Sequence, residues 1–221
     1  MVRPRFAKLP PSQQEAILRV ALDEFSSRGY HDASLNRVID AAGISKGSMY
    51  YYFEGKEDLY AYVARTGLAD LFERVGPLPK LDGGDADAFW SVLENYYLRL
   101  MRALAASPQL AALLRGWAAT SKSPAFQQAQ GEIQQASVPW IEQVLVAGQR
   151  VGAVRDDLPS SLLIAVVLGM GEAIDVWLMS QQPDDDALPG LIGALISMIR
   201  GAVSAMRISE PDEGRKRESG A

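Results

Sequence analysis

The side chains able to do chemistry gather between Ser34 and Lys56, in the stretch SLNRVIDAAGISKGSMYYYFEGK. It offers cationic donors (Arg37, Lys46, Lys56), an amide (Asn36) and hydroxyls (Ser34, Ser45, Ser48, Tyr50, Tyr51). Such groups hold anions and base edges rather than make or break bonds. The chain has no cysteine and one histidine, His31, so thiolate chemistry is absent and a metal site would have to be built from oxygen alone. No loop of spaced acids, phosphate-cradling glycine loop or nucleophile–base pair is present, and neither a cofactor nor an enzymatic activity is expected.

The spacing predicts what positions these donors. Leu35, Val38 and Ile39 lie at helical intervals, and Ala41-Ala42 leads into Gly43, a residue suited to the left-handed end of a helix. Ile44 points inward, and Ser45 is placed to cap a second, short helix that ends by Phe53-Glu54-Gly55. Its exposed positions would be Ser45, Lys46, Gly47, Ser48, Tyr50 and Tyr51. Two short helices joined by a tight glycine turn form a helix-turn-helix, whose second helix fits a DNA major groove.

Arg28-Gly29-Tyr30, AAGISKG and YYYFEGKEDL stand in an order and spacing that resemble the DNA-binding domain of the TetR family of bacterial transcriptional regulators. The similarity covers about residues 12 to 60. It implies a homodimeric, cytoplasmic regulator that binds two-fold-related half-sites of double-stranded DNA and leaves them when a small hydrophobic effector binds. It places Lys46, Ser48 and Tyr50 on the recognition helix and Asn36 and Arg37 on the helix before it. Arg37 and Lys46 would meet guanine edges or phosphate, Asn36 an adenine if it reaches a base, and Ser34, Tyr50, Tyr51 and Lys56 phosphate, while Gly47 allows close approach. Ala33 departs from the pattern: threonine is usual there, as cap and phosphate contact, so the cap falls to Asp32 or Ser34. Ile39 is bulkier than the usual alanine, and Tyr52 replaces a frequent histidine.

Charge alone would not have suggested DNA. The net charge is −5, and residues 1–60 hold eight basic and eight acidic side chains. What favours nucleic acid is placement, with Arg3, Arg5, Lys8, Arg37, Lys46 and Lys56 on an N-terminal arm and at helix ends. The proline-interrupted arm, residues 1–11, reads as disordered without DNA, either a DNA contact or simply a loose terminus.

The rest of the chain reads as helices without a sheet, an all-α fold with an N-terminal three-helix helix-turn-helix domain and a larger C-terminal helical domain. The first helix is expected from Ser12, with Glu15 completing a capping box, an apolar stripe of Ile17, Val20, Ala21 and Phe25, and a stop at Gly29. Tyr30 packs back onto this core. The domain limits are 1–56 for arm and reading head, 57–79 for a connecting helix with Leu59, Val63 and Phe72 on its apolar side, 80–208 for ligand binding and dimerisation, and 209–221 for a solvated tail. Helices are expected at 87–106, 108–121, 124–151 (kinked at Pro139), 158–181 and 188–207.

The last two are apolar nearly all round and carry small residues every fourth position: Ser161, Ala165, Gly169 and Ala173, then Gly193, Ser197, Gly201 and Ala205. Helices with no polar side must be covered on every side, which predicts pairing with a second copy. The longest apolar run, Leu162 to Gly171, reads as too short for a bilayer, with Glu172 and Asp175 opposing extension, and the N-terminus lacks the apolar stretch of a secretory signal. No membrane partner is expected.

Candidate pocket residues are Trp90, Glu94, Tyr97, Met101, Trp117, Phe126, Trp140, Met170 and Trp177, though for any one of the tryptophans core is the better reading. Glu94, Glu172 and Asp175 interrupt apolar faces, as pocket groups or as interface ion pairs with Arg99, Arg102 or Arg115. The ligand reads as hydrophobic, with aromatic or cationic character left open. Three rivals remain: an activator or non-inducible DNA-binding protein of the same fold, an enzyme in the C-terminal cavity, and a protein-interaction module using the final helices.

Overall fold

Gly29 and Gly43 set the geometry of the N-terminal end. In the computed structural model, which describes residues 5–81, 83–119 and 124–204, both adopt positive φ, 68° and 64°. Gly29 puts a kink near the end of α1 (Pro11–Asp32), and Gly43 closes α2 (Leu35–Ala42). There the Gly43 N–H donates to Asp40 O and the Ile44 N–H to Ile39 O, using carbonyls the helix end would otherwise leave open. Then come α3 (Lys46–Tyr52), α4 (Lys56–Val75), α5 (Ala86–Ala105), α6 (Pro108–Ala119), α7 (Pro124–Arg150), α8 (Ser160–Gln181) and α9 (Leu188–Val203). The fold is all-α, and no strand occurs among the described residues.

Several expectations are corrected. The capping box at Ser12 does not form: α1 begins at Pro11, whose missing N–H costs nothing in the first turn, and Ser12 already lies inside the helix. Neither Asp32 nor Ser34 caps α2 through its side chain; the Glu24 carboxylate accepts the Ser34 N–H instead, at 2.9 Å. The arm from Arg5 onward is ordered, because Phe6 is fully buried against Tyr52, Phe53 and Tyr62. In α4, Leu59 and Val63 are buried as expected, but the third core position is Leu71, while Phe72 is about half exposed. Pro139 falls inside a single helix, α7, as expected from the sequence.

Two apolar cores result. One joins Phe6, Ile17, Phe25, Val38, Met49, Phe53 and Leu59 to Leu110, Leu113 and Leu114 of α6. The apolar packing of the head therefore does not end at residue 56 but runs through α4 into α6. The Tyr60 hydroxyl donates to Leu113 O at 2.5 Å, and a side chain on Gly116 would meet that hydroxyl at 2.7 Å, so this approach requires a glycine. The second core, with Phe89, Trp90, Ile141, Leu163, Ile174 and Ile192, belongs to α5 and α7–α9.

The outer face of α8 is uncovered. Ser161, Ala165, Gly169 and Ala173 are all exposed, as are Leu162, Val176 and Trp177. On α9, Ser197 and Gly201 are exposed, but Gly193 turns toward α5, where an added Cβ would lie 3.2 Å from Glu94 Oε1. Ala205 and the tail 209–221 lie outside the described residues. Taken whole, Ser160–Gln181 is long and apolar enough by composition to cross a bilayer, with mean hydropathy 2.0. The expectation from the shorter run is corrected to that extent, since a helix of 22 residues averages over Glu172 and Asp175.

Candidate nucleic-acid interface and cavity

Recognition-type side chains need a rigid rod beneath them, and α3 receives one from two buried residues. Met49 and the following Phe53 are fully buried, fixing one side of a helix only seven residues long. Ser45 Oγ accepts the Ser48 N–H at 3.0 Å, the cap expected from the sequence. Ser48 itself is half-buried, and its hydroxyl lies 2.8 Å from Ser45 Oγ. The opposite side presents Lys46, Gly47, Tyr50 and Tyr51 to solvent, the two rings 43% and 46% exposed. A Cβ on Gly47 would meet only Ser45 Oγ, at 3.7 Å, so the surface there is open. The Arg5 guanidinium lies 4.1 Å from the Tyr51 ring centroid, which brings the arm beside α3. Arg3 lies outside the described residues.

Arg37 and Lys56 are already engaged. Arg37 Nε donates to Glu24 Oε1 at 2.8 Å, and its Nη2 contacts Glu24 Oε1 and Asp32 O, each at 2.6 Å. Arg28 adds a longer contact to the same carboxylate. Burial by itself would raise the Glu24 carboxyl, but the Arg37 hydrogen bond, the Ser34 N–H and the two guanidinium charges outweigh it and hold the group below its ordinary value. Lys56 Nζ donates to His31 O at 3.0 Å and Ala33 O at 3.1 Å and lies over the Tyr30 ring. Both side chains tie the α1–α2 corner together. Arg37 keeps about half of its side chain in solvent, Asn36 is exposed and Ser34 half-buried.

In the second core a cavity of about 1130 Å³ opens between the end of α4, the segment 76–81, α5, α7, α8 and α9. Of the candidate pocket residues, Trp90, Tyr97 and Trp140 line it. Glu94 faces Gly193, and Met101, Met170 and Trp177 are not on the wall; Trp177 looks outward from α8, while Val167 and Asp175 of the same helix look inward. The side chains of Trp117 and Phe126 lie outside the described residues. Phe72, the 76–81 segment and the α9 residues Ile196, Ile199 and Val203 were not foreseen, because only the angle between helices brings them to one space. A signal existed for 76–81: a run with two prolines and no helical period must lie across something.

Of the three acids left open, Asp175 belongs to the cavity. Tyr97 Oη donates to Asp175 Oδ1 in a short hydrogen bond. Burial raises the Asp175 carboxyl, the charge of Glu172 raises it further, and the Tyr97 hydroxyl opposes both. Burial and the neighbouring carboxylate push the Tyr97 phenol up as well. Glu172 is exposed on α8. The arginines considered as partners lie elsewhere: Arg102 pairs with Asp185 at 2.9 Å, Arg99 lies over Tyr96, and Arg115 contacts Gln182.

Residues 17–63 match the model of the bacterial regulatory proteins, tetR family. The HTH-type transcriptional regulator RutR of Escherichia coli (strain K12) is 44% identical over 54 residues, 24% of this chain and 26% of that protein. The chain thus spans about a quarter of that relative's length in the match. The fatty acid metabolism regulator protein of Bacillus subtilis (strain 168) is 21% identical over 170 residues, 76% of this chain and 85% of that protein. Among solved structures, the transcriptional regulator FadR from Bacillus subtilis in complex with stearoyl-CoA shares the fold, with a TM-score of 0.63 at 19% identity over 85% of this chain and 98% of that one.

Proposed function

We propose that this chain, whose residues 17–63 match the model of the bacterial regulatory proteins, tetR family, is a TetR-family homodimeric repressor released from its operator by a small, largely apolar ligand. The observation that carries this reading is α3, where Met49 and Phe53 are buried while Lys46, Gly47, Tyr50 and Tyr51 remain open beside Arg5. A short helix held on one side and rich in donors on the other is the form that enters a major groove. Lys46 reads base edges or phosphate; Ser45, Ser48, Tyr50, Tyr51, Asn36, Arg37 and Arg5 position the rod. Lys56 keeps the α1–α2 corner closed and lends its remaining proton to the backbone of the DNA. Residues 1–56 are the reading head, 57–79 the connection, and 80–208 the ligand-binding and dimerising part.

The uncovered α8 face, with Ser161, Ala165, Gly169 and Ala173, meets its copy in the second chain together with Ser197 and Gly201 of α9. That pairing covers apolar surface a monomer leaves in water, and it sets two heads on two-fold-related half-sites. Cover by a second chain also accounts for the hydropathy of α8 without a bilayer, in keeping with a protein that works on cytoplasmic DNA. The chain acts by binding and performs no catalysis. A like-folded regulator holds stearoyl-CoA, and a space of about 1130 Å³ accommodates a long apolar chain.

The test is fluorescence anisotropy of the full chain on a labelled duplex taken from the DNA flanking its gene. Lys46→Ala should weaken binding by about tenfold or more, in line with the loss of one specific contact. Lys56→Ala should weaken binding to every duplex and flatten the salt dependence. Parent-like binding by both variants would refute the assigned docking.

A further inference from the structure

Asp175 has no counter-cation. Its Oδ1 is taken by the Tyr97 hydroxyl, and its second oxygen has no protein partner among the described residues. No arginine lines the cavity among those residues, and the lysine that does, Lys80, is exposed at the mouth. A carboxylate largely removed from water and given a single hydroxyl is costly unless it takes up a proton or something of opposite charge joins it. Trp90, Tyr96, Tyr97 and Trp140 line the same cavity, as does a second carboxylate, the exposed Glu73. Aromatic faces and carboxylates on one wall attract a cation and repel an anion.

We propose that the cavity selects a lipophilic cation, its amine or other positive group seated at Asp175 and Tyr97 and its apolar body along α5 and α7. This deepens the regulator reading above and rests on it. Charge separates this chain from the like-folded regulator crystallised with stearoyl-CoA, whose ligand is anionic. A fatty-acid carboxylate, or the phosphates of an acyl-CoA, brought to Asp175 would set like charges together, whereas an ammonium there completes the pair. Tyr97 fixes the carboxylate from α5, so a ligand bound at Asp175 touches α5 and α8 at once.

The experiment uses three ten-carbon amphiphiles that differ only at the head: decylamine (charged at neutral pH), 1-decanol and decanoate. Binding to the full chain is followed by tryptophan fluorescence and calorimetry, and release of the flanking-DNA duplex by anisotropy. The cation should bind at least about tenfold more tightly than the alcohol, with decanoate weakest. Asp175→Asn, nearly the same in shape, should bring all three within about threefold of one another, the charge term having gone. The ranking on the parent protein stands even if the variant fails to fold. Tightest binding of decanoate or decanol, or a ranking that survives in folded Asp175→Asn, would overturn the proposal. If all three bind alike and release DNA, the cationic assignment falls and the repressor reading remains. If none binds, both the cavity ligand and its charge are refuted.

Discussion

Glu24→Ala is the most informative single change, because one carboxylate does the work of a helix cap and of an ion pair. Helix α2 has eight residues, too few to persist unaided, and its N-cap residue makes no side-chain bond. The Ser34 N–H is satisfied by Glu24 Oε1 at 2.9 Å, and Arg37 binds the same oxygen at 2.6–2.8 Å. Losing a cap costs about 1 kcal/mol. Losing the Arg37 pair adds only a little, because Arg37 remains about half in solvent. The total is about 1 kcal/mol or slightly more, or about 2–4 °C in melting temperature for a chain of this size. Circular dichroism melts would measure it. Glu24→Gln keeps an acceptor for Ser34 and should recover about half of the loss, while Arg37→Ala should cost clearly less than Glu24→Ala. The folded carboxyl lies below its ordinary value, so its stabilisation is complete above the ordinary glutamate range and fades as pH falls through the lowered value. The gap between parent and Glu24→Ala should therefore narrow as the medium is acidified below the ordinary glutamate range. A melting temperature within 1 °C of the parent at neutral pH, or Arg37→Ala as damaging as Glu24→Ala, would refute the double role.

Two other substitutions examine the ends of the chain. Phe6→Ala removes a fully buried ring from between Tyr52, Phe53 and Tyr62; it should cost about 3–5 kcal/mol in a thermal or urea melt, and a shift below about 1 kcal/mol would mean that the arm is only loosely seated. Ala165→Arg places a long cation on the exposed stripe of α8; light scattering at micromolar concentration should drop from the mass of two chains to that of one, whereas an unchanged mass would move the contact elsewhere.

Much of the head was legible in the residues because its determinants are local. Gly43 ends α2 in the left-handed conformation that a side chain would strain, and Ser45 caps α3 three residues before the N–H it binds. The period of Ile17, Ala21 and Phe25 pointed to a core that the fold confirms. Helix limits in the larger part also followed from proline, glycine and apolar spacing, which act over a few residues.

What chain order could not supply was partnership across distance. Glu24 caps a helix whose N-cap residue lies ten positions later, and Phe6 is buried by rings more than forty residues on; neither choice is encoded by neighbours in sequence. The same holds for the cavity. Tyr97 and Asp175 meet across 78 positions, while Met170 and Trp177, equally apolar and on the same helix as Asp175, face away. Composition and period fixed that α8 is apolar, but its rotation about its own axis, set by packing against α7 and α9, decided which side holds the carboxylate and which is left for another chain.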